Sequence, residues 1–269
     1  MRITSRVAGL ALQDGAIMIA PGYKDRHHSC FDDFTTLHFP DGELADGRVQ
    51  DPAAVSAALT RWRRRFRGRL QLRVALPAPL YLQQHIRLPE SRMVQASVVP
   101  LIDTYLARTF PGRCQDLIYD YCILPGEIVL TTVHRAVREV WETLAAKMGA
   151  RLTVLDLIPC AMRCFAYARG VPAQDWLLFS QGNSVCWQAG TSHPALSGQA
   201  EPDLPSLSDA LTLQGFDKAQ ASLCCLHDTS VLPVAWQHEC EQYSVTEPDT
   251  VPPGYAAAAG MVLRGEDRL

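Results

Sequence analysis

The chain has 269 residues, 48% of them hydrophobic and 20% charged, and a formal net charge of −3. That length carries one large domain or two modest ones, and the charge excludes a surface built throughout for nucleic acid. No apolar run approaches the roughly 20 residues that span a bilayer, and the opening MRITSRVAGLALQDG lacks the apolar length and cleavage site of a signal peptide, so a cytoplasmic protein is expected. Nine cysteines, at positions 30, 114, 122, 160, 164, 186, 224, 225 and 240, make no C-x-x-C pair and read as inert thiols. The eight histidines show no metal-site spacing, and His27-His28 near Cys30 reads as polar loop.

In chain order, Val7–Leu12 and Ala16–Ala20 read as strands joined at Asp14-Gly15, a hairpin signal. Phe31–Phe39 is expected as a third strand. Asp51 is a good N-cap and Pro52 suits the first helical position. Val55, Leu59, Trp62 and Phe66 then recur at i, i+4, i+7 and i+11, one apolar helical stripe ended by Gly68. Leu70, Leu72, Val74 and Leu76 alternate as a strand, stopped by Pro77-Ala78-Pro79, and Tyr81–Leu88 is a second.

Glu90–Phe110 reads as helix, with Pro100 a candidate kink. Leu117–Leu124 and Glu127–Val133 are strands about Pro125-Gly126, and Val137–Met148 is a helix with Gly149 as its cap. Together these make an α+β module from about 85 to 150. Leu152–Leu157 is expected as strand and Ala161–Ala168 as helix. Leu177–Ser180 and Val185–Gln188 form a strand pair, followed by a loop over 190 to 206. Short helical pieces are expected at Asp209–Leu213 and Lys218–Ala221, a buried strand at Leu223–Leu226, and a closing helix at Tyr255–Leu263. No internal repeat is visible by spacing.

Five segments carry a family likeness: Asp46-Gly47-Arg48, Val74-Ala75-Leu76-Pro77, Arg87-Leu88-Pro89, Leu155–Pro159 with Ala161, and Tyr255–Leu263. Their order and content resemble the PilM family of type IV pilus assembly proteins, its HofM branch above all. The resemblance implies an α/β, actin-like ATPase (ribonuclease H-like) fold of two lobes with an inserted α+β subdomain. The first lobe would hold 1–84 and 151–170, the insertion 85–150, and the second lobe 171–269.

It also implies a non-enzymatic scaffold, cytoplasmic and peripheral at the inner membrane, of a pilus, DNA-uptake or secretion machine. Such a scaffold binds the N-terminal cytoplasmic tail of a single-pass PilN/HofN-like partner in a groove between the first subdomain and the insertion. Leu88, Val94, Val98, Ile102 and Tyr105 are the candidate lining, and packing inside the module is an equally open reading of each. Homodimerisation stays open.

Actin-like ATPases cradle phosphates on Gly-rich turns with a carboxylate beside each, which helps hold Mg²⁺. Here the first turn has Ala11 and Gln13 where the acidic residue and a glycine belong. The second keeps Gly182 but has Ser180 for the carboxylate, and the adenosine-side strand runs into His227 rather than a Gly-Gly pair. No ATP or Mg²⁺ cofactor is therefore expected. Ser184, in G-N-S-V-C, lacks the second glycine of a nucleophile elbow. The basic run Arg61, Arg63, Arg64, Arg65, Arg67 and Arg69 reads either as dipole complementation at a helix end or as a patch for anionic membrane or a partner. Two rival functions remain: an active ATPase of the same superfamily, and a nucleic-acid binder using that run, which nothing else in the chain supports.

Overall fold

The computed structural model describes residues 6–13, 15–24, 29–40, 42–88, 98–181, 184–190, 197–199, 222–226, 251–252 and 254–264. β1 (Arg6–Gln13) and β2 (Ala16–Lys24) form the expected hairpin, Gln13 facing Ala16. The third strand comes in two pieces, β3 (Ser29–Phe31) and β4 (Thr35–His38), both on β2. The break falls at Asp32 and Asp33, whose carboxylates turn outward to Arg6 and Arg65. β5 (Leu44–Ala45) and β6 (Arg48–Val49) make a small hairpin. Its two-residue turn, Asp46 (φ 50) and Gly47 (φ 71), has the paired positive φ of the tight hairpin turn.

α1 (Pro52–Arg63) starts as its sequence requires: the Asp51 carboxylate accepts from the backbone N–H groups of Ala53 and Ala54. Val55, Leu59 and Trp62 are buried, whereas Phe66 lies beyond the helix end, its ring 5.0 Å from that of Trp62. β7 (Leu70–Leu76) runs parallel to β1, and a short 3₁₀ turn over Ala78–Leu80 leads into β8 (Tyr81–Arg87). α2 (Val98–Thr109) has Pro100 in its first turn, where the missing N–H breaks no helical bond. β9 (Leu117–Leu124), β10 (Glu127–His134), α3 (Arg135–Lys147), β11 (Arg151–Leu157) and α4 (Ile158–Ala168) follow. β12 (Trp176–Gln181), β13 (Ser184–Gln188), β14 (Ser197–Gln199), β15 (Leu223–Leu226) and α5 (Ala256–Leu263) complete the described elements. β14 falls inside the stretch expected to be loop. The short helical pieces expected at Asp209–Leu213 and Lys218–Ala221 lie outside the described residues.

The main sheet has the order β11-β7-β1-β2-β3, with β4 also on β2. Its faces separate by the two-residue period of a strand. Leu10, Leu12, Ile17, Ile19, Leu72, Val74 and Leu76 point to one side, under α1 and α3. Val7, Ala11, Met18 and Ala75 point to the other, under α4 and α5. A second sheet, β14-β13-β12-β15, closes over those two helices through Leu177, Phe179, Cys186 and Cys224. Both sheets begin with an antiparallel meander and grow by a strand parallel to its first member, β7 on β1 and β15 on β12. The molecule is thus a topological duplication around a two-helix layer, which the sequence spacing did not reveal.

A third sheet, β8-β10-β9, is covered by α2 and has its own small core of Ile86, Val98, Ile102, Leu106, Ile128 and Leu130. The helix expected to close this module, α3, instead buries Trp141, Leu144 and Ala145 in the core of the main sheet. Likewise α5 packs on β1, β2 and β7 rather than on the second sheet alone.

Candidate functional site

The junction between the two lobes is built from small residues. A Cβ on Gly9 would stand 2.0 Å from the Ala258 carbonyl oxygen, and one on Gly260 would stand 1.9 Å from that of Ala161. These glycines let α5 lie directly on β1 and on α4. The family-like segments around Leu155–Ala161 and Tyr255–Leu263 therefore meet in space. So do two others: Gly47 lies against the ring of Pro77, a Cβ there falling 2.2 Å from Cγ.

At the first expected phosphate turn, Ala11 is 1% exposed and faces Met18 on one side and Ala75 on the other. Asp156 stands next in the same row, in register with Ala75. Its carboxylate is bound by Arg264 Nε at 2.7 Å. Gln13 is half-buried at the end of β1, and Ser180 pairs with Val185 across the second hairpin. Gly182 and His227 lie outside the described residues.

Four polar features of this junction gave no sequence signal. Arg73, 4% exposed in mid-β7, donates Nη1–H to the carbonyls of Met261 and Val262 at 3.3 and 3.4 Å and to that of Arg264, capping the end of α5. Arg163 on α4 donates to the Asp175 and Ala189 carbonyls at 2.7 and 2.9 Å, tying that helix to the second sheet. The Tyr81 hydroxyl is pushed up to about 12, chiefly by burial, with the Ser197 hydrogen bond pulling the other way. Ser197 Oγ also donates to Gln83 Oε1 at 3.4 Å, so β14 touches β8. Burial alone holds the Cys186 thiol up at about 12, and burial first, then the nearby Asp156 charge, raises Cys160. Among the described residues no group of three or more His, Cys, Asp or Glu is placed to hold a metal.

Of the expected partner groove, Val98 and Ile102 are the module's own core, 2% and 0% exposed. Those two point into the sheet and not toward a partner. Leu88 and Tyr105 are half-buried at its rim, with Leu101 beside them. The Tyr105 hydroxyl accepts from Gln84 Nε2 at 3.0 Å. Val94 lies outside the described residues. Val99, 43% exposed, and Leu82, 45% exposed, are open apolar side chains on the same module.

The basic run divides by role. Arg63 ties down the turn after its helix, donating to the Phe66 and Gly68 carbonyls at 2.5 Å. Arg65 binds Asp33 and the Thr35 hydroxyl. Arg61, Arg64 and Arg67 are exposed.

Two lobes of this shared topology, with helices between them and an α+β insertion after the fourth main-sheet strand, define the actin-like α/β class. The structural comparisons place the chain there. It is similar over 100% of both chains to a PilM-PilN type IV pilus biogenesis complex, with a TM-score of 0.70 at 15% identity. It is also similar to the cytoplasmic domain of EpsL, an inner membrane component of the type II secretion system of Vibrio cholerae. That likeness has a TM-score of 0.58 at 11% identity and covers 96% of this chain and 93% of the other. A Bacteroides thetaiotaomicron protein of unknown function, described as having an actin-like ATPase fold, matches over 97% of this chain with a TM-score of 0.49 at 10% identity. No protein-family model and no curated protein matches the sequence.

Proposed function

We propose that this chain is a scaffold of a type IV pilus or related inner-membrane machine, holding the N-terminal cytoplasmic tail of a PilN/HofN-like membrane protein. The observation that carries the reading is the end-to-end fold likeness to a PilM-PilN complex, at a TM-score of 0.70 with both chains fully covered. The likeness to the EpsL cytoplasmic domain agrees with a place beside the inner membrane. No helix among the described residues is long and apolar enough to cross a membrane.

The described residues of the first turn are a poor fit for a nucleotide-bound Mg²⁺. Ala11 offers no oxygen, Gly9 is taken up by the contact with α5, and the nearest carboxylate in the row, Asp156, is engaged by Arg264. The scaffold works without hydrolysis.

A tail of this kind is apolar and extended, and needs an apolar rim with backbone edges to pair with. The rim of the inserted module at Leu88, Leu101 and Tyr105 is the site we assign. Titration of the full chain with a synthetic PilN-like tail tests this. Saturable binding is expected, weakened roughly 30-fold by Tyr105→Ala, as for a buried aromatic anchor. A tail that does not bind removes the scaffold reading. Binding untouched by Tyr105→Ala moves the groove elsewhere.

A further inference from the structure

α1 and α3 lie side by side on the main sheet, and between their outward faces runs a groove of about 430 Å³. Ser56, Thr60 and two alanines of α1 form its floor, and Arg61, Arg64 and Lys147 its rim. All three cations are exposed. No carboxylate among the described residues pairs with any of them, and no acidic side chain lines the groove.

Helix-end electrostatics suits Arg61 and Lys147 singly, each in the last turn of its own helix, but does not account for their convergence on one groove. Arg63 is engaged by the Phe66 and Gly68 carbonyls in the turn beyond α1, and Arg65 is committed to Asp33. Arg61 and Arg64 are left over, and Lys147 reaches them from a different helix. In a chain of net charge −3 such a concentration of unneutralised cations is a local feature with a strong field.

We propose that the α1–α3 groove docks the chain on an anionic phospholipid surface. Lipid phosphates sit between Arg61, Arg64 and Lys147, with the Ser56 and Thr60 hydroxyls as donors beneath. The small floor residues admit a phosphate, and the lining has no aromatic ring on which a nucleic-acid base could stack. Arg67 and Arg69, just past the end of α1, are also exposed. The proposal rests on the inner-membrane reading above for its choice of a lipid source over a soluble phosphate.

The test is flotation of the full chain, without any tail peptide, on vesicles containing phosphatidylglycerol and on vesicles of phosphatidylcholine alone. Binding is expected only to the first, and is expected to weaken strongly when salt shortens the screening length. Each cation near such a surface contributes roughly five-fold, so R61Q/R64Q/K147Q should lose roughly 100-fold. An equal-charge control on other exposed arginines, R108Q/R113Q/R151Q, should lose little. Lys147→Glu alone, outside the arginine run, should weaken binding in the same direction, and melting curves check that each variant folds.

Equal losses in both triple variants, equal flotation on neutral vesicles, or an unaffected groove variant would each overturn the proposal. So would displacement by millimolar inorganic phosphate, which would make this a site for the free anion. A DNA mobility shift that needs the groove, without flotation, would likewise give it to nucleic acid. Tail binding is measured separately without lipid, so the scaffold reading and the lipid site can fail independently.

Discussion

One methyl group at position 260 sets two effects against each other. Glycine inside a helix costs about 1 kcal/mol relative to alanine, so Gly260→Ala should strengthen α5 on its own. Its Cβ, however, would stand 1.9 Å from the Ala161 carbonyl oxygen, which is backbone and cannot swing away. Overpacking of this kind costs roughly 1–3 kcal/mol and more where the clash is with main chain, so the collision wins. We expect a net loss of about 2 kcal/mol or more, read as a lowered denaturant midpoint. A variant as stable as the parent would mean that α4 and α5 can separate at little cost. The sequence offered Gly260 only as part of a family-like segment and Gly9 only as a residue of the first strand. That their value is closeness of backbone, not freedom of φ, depends on residues about 100 and 250 positions away and is invisible in one dimension. Arg73 is a similar case: an arginine in an alternating strand reads as outward-facing, and the carbonyls at the end of α5 help make its burial tolerable.

Elements were more legible than residues, because each carries its own period. The Asp51-Pro52 start of α1, the alternation of β7 and the paired strands β9 and β10 all appeared where the pattern put them. What a period cannot tell is the identity of the surface an apolar stripe meets. α3 reads as part of the module that precedes it, yet Trp141 and Leu144 go to the main sheet. In α2 the same ambiguity concerned partner against core, and Val98 and Ile102 went to the core. Ile102→Ala should therefore destabilise the chain by about 2–5 kcal/mol, the usual cost of emptying a buried aliphatic site. Tyr105→Ala, at the half-buried rim, should cost far less stability while losing tail affinity. Denaturant midpoints for the two variants, beside tail titrations, separate the roles. If Ile102→Ala leaves stability intact, the helix is not seated as described.

At the scale of the whole molecule, the two lobes share one strand order without any repeat in sequence. Topology is kept by hydrogen-bond pairing and layer packing, which many side-chain sets satisfy, so composition and spacing retain no trace of the duplication. The order of the family-like segments was the part of the site that sequence could carry. The departures at the expected nucleotide turns are statements about residue type alone, and so belong to the sequence. They yield an expectation for the intact chain: Mg²⁺–ATP should leave its melting temperature unchanged. A ligand at 100 times its Kd would add about 2.7 kcal/mol, so a clear upward shift would restore the active-ATPase reading.

β1 cannot finish folding until α5 has been made. The inner face of β1, from Val7 to Ala11, is roofed by α5, some 250 positions downstream, and the guanidinium of β7 locks that roof in place. Closing so long a loop is entropically slow, and the half-made protein carries a greasy sheet with no lid. Synthesis order and assembly order run opposite ways here.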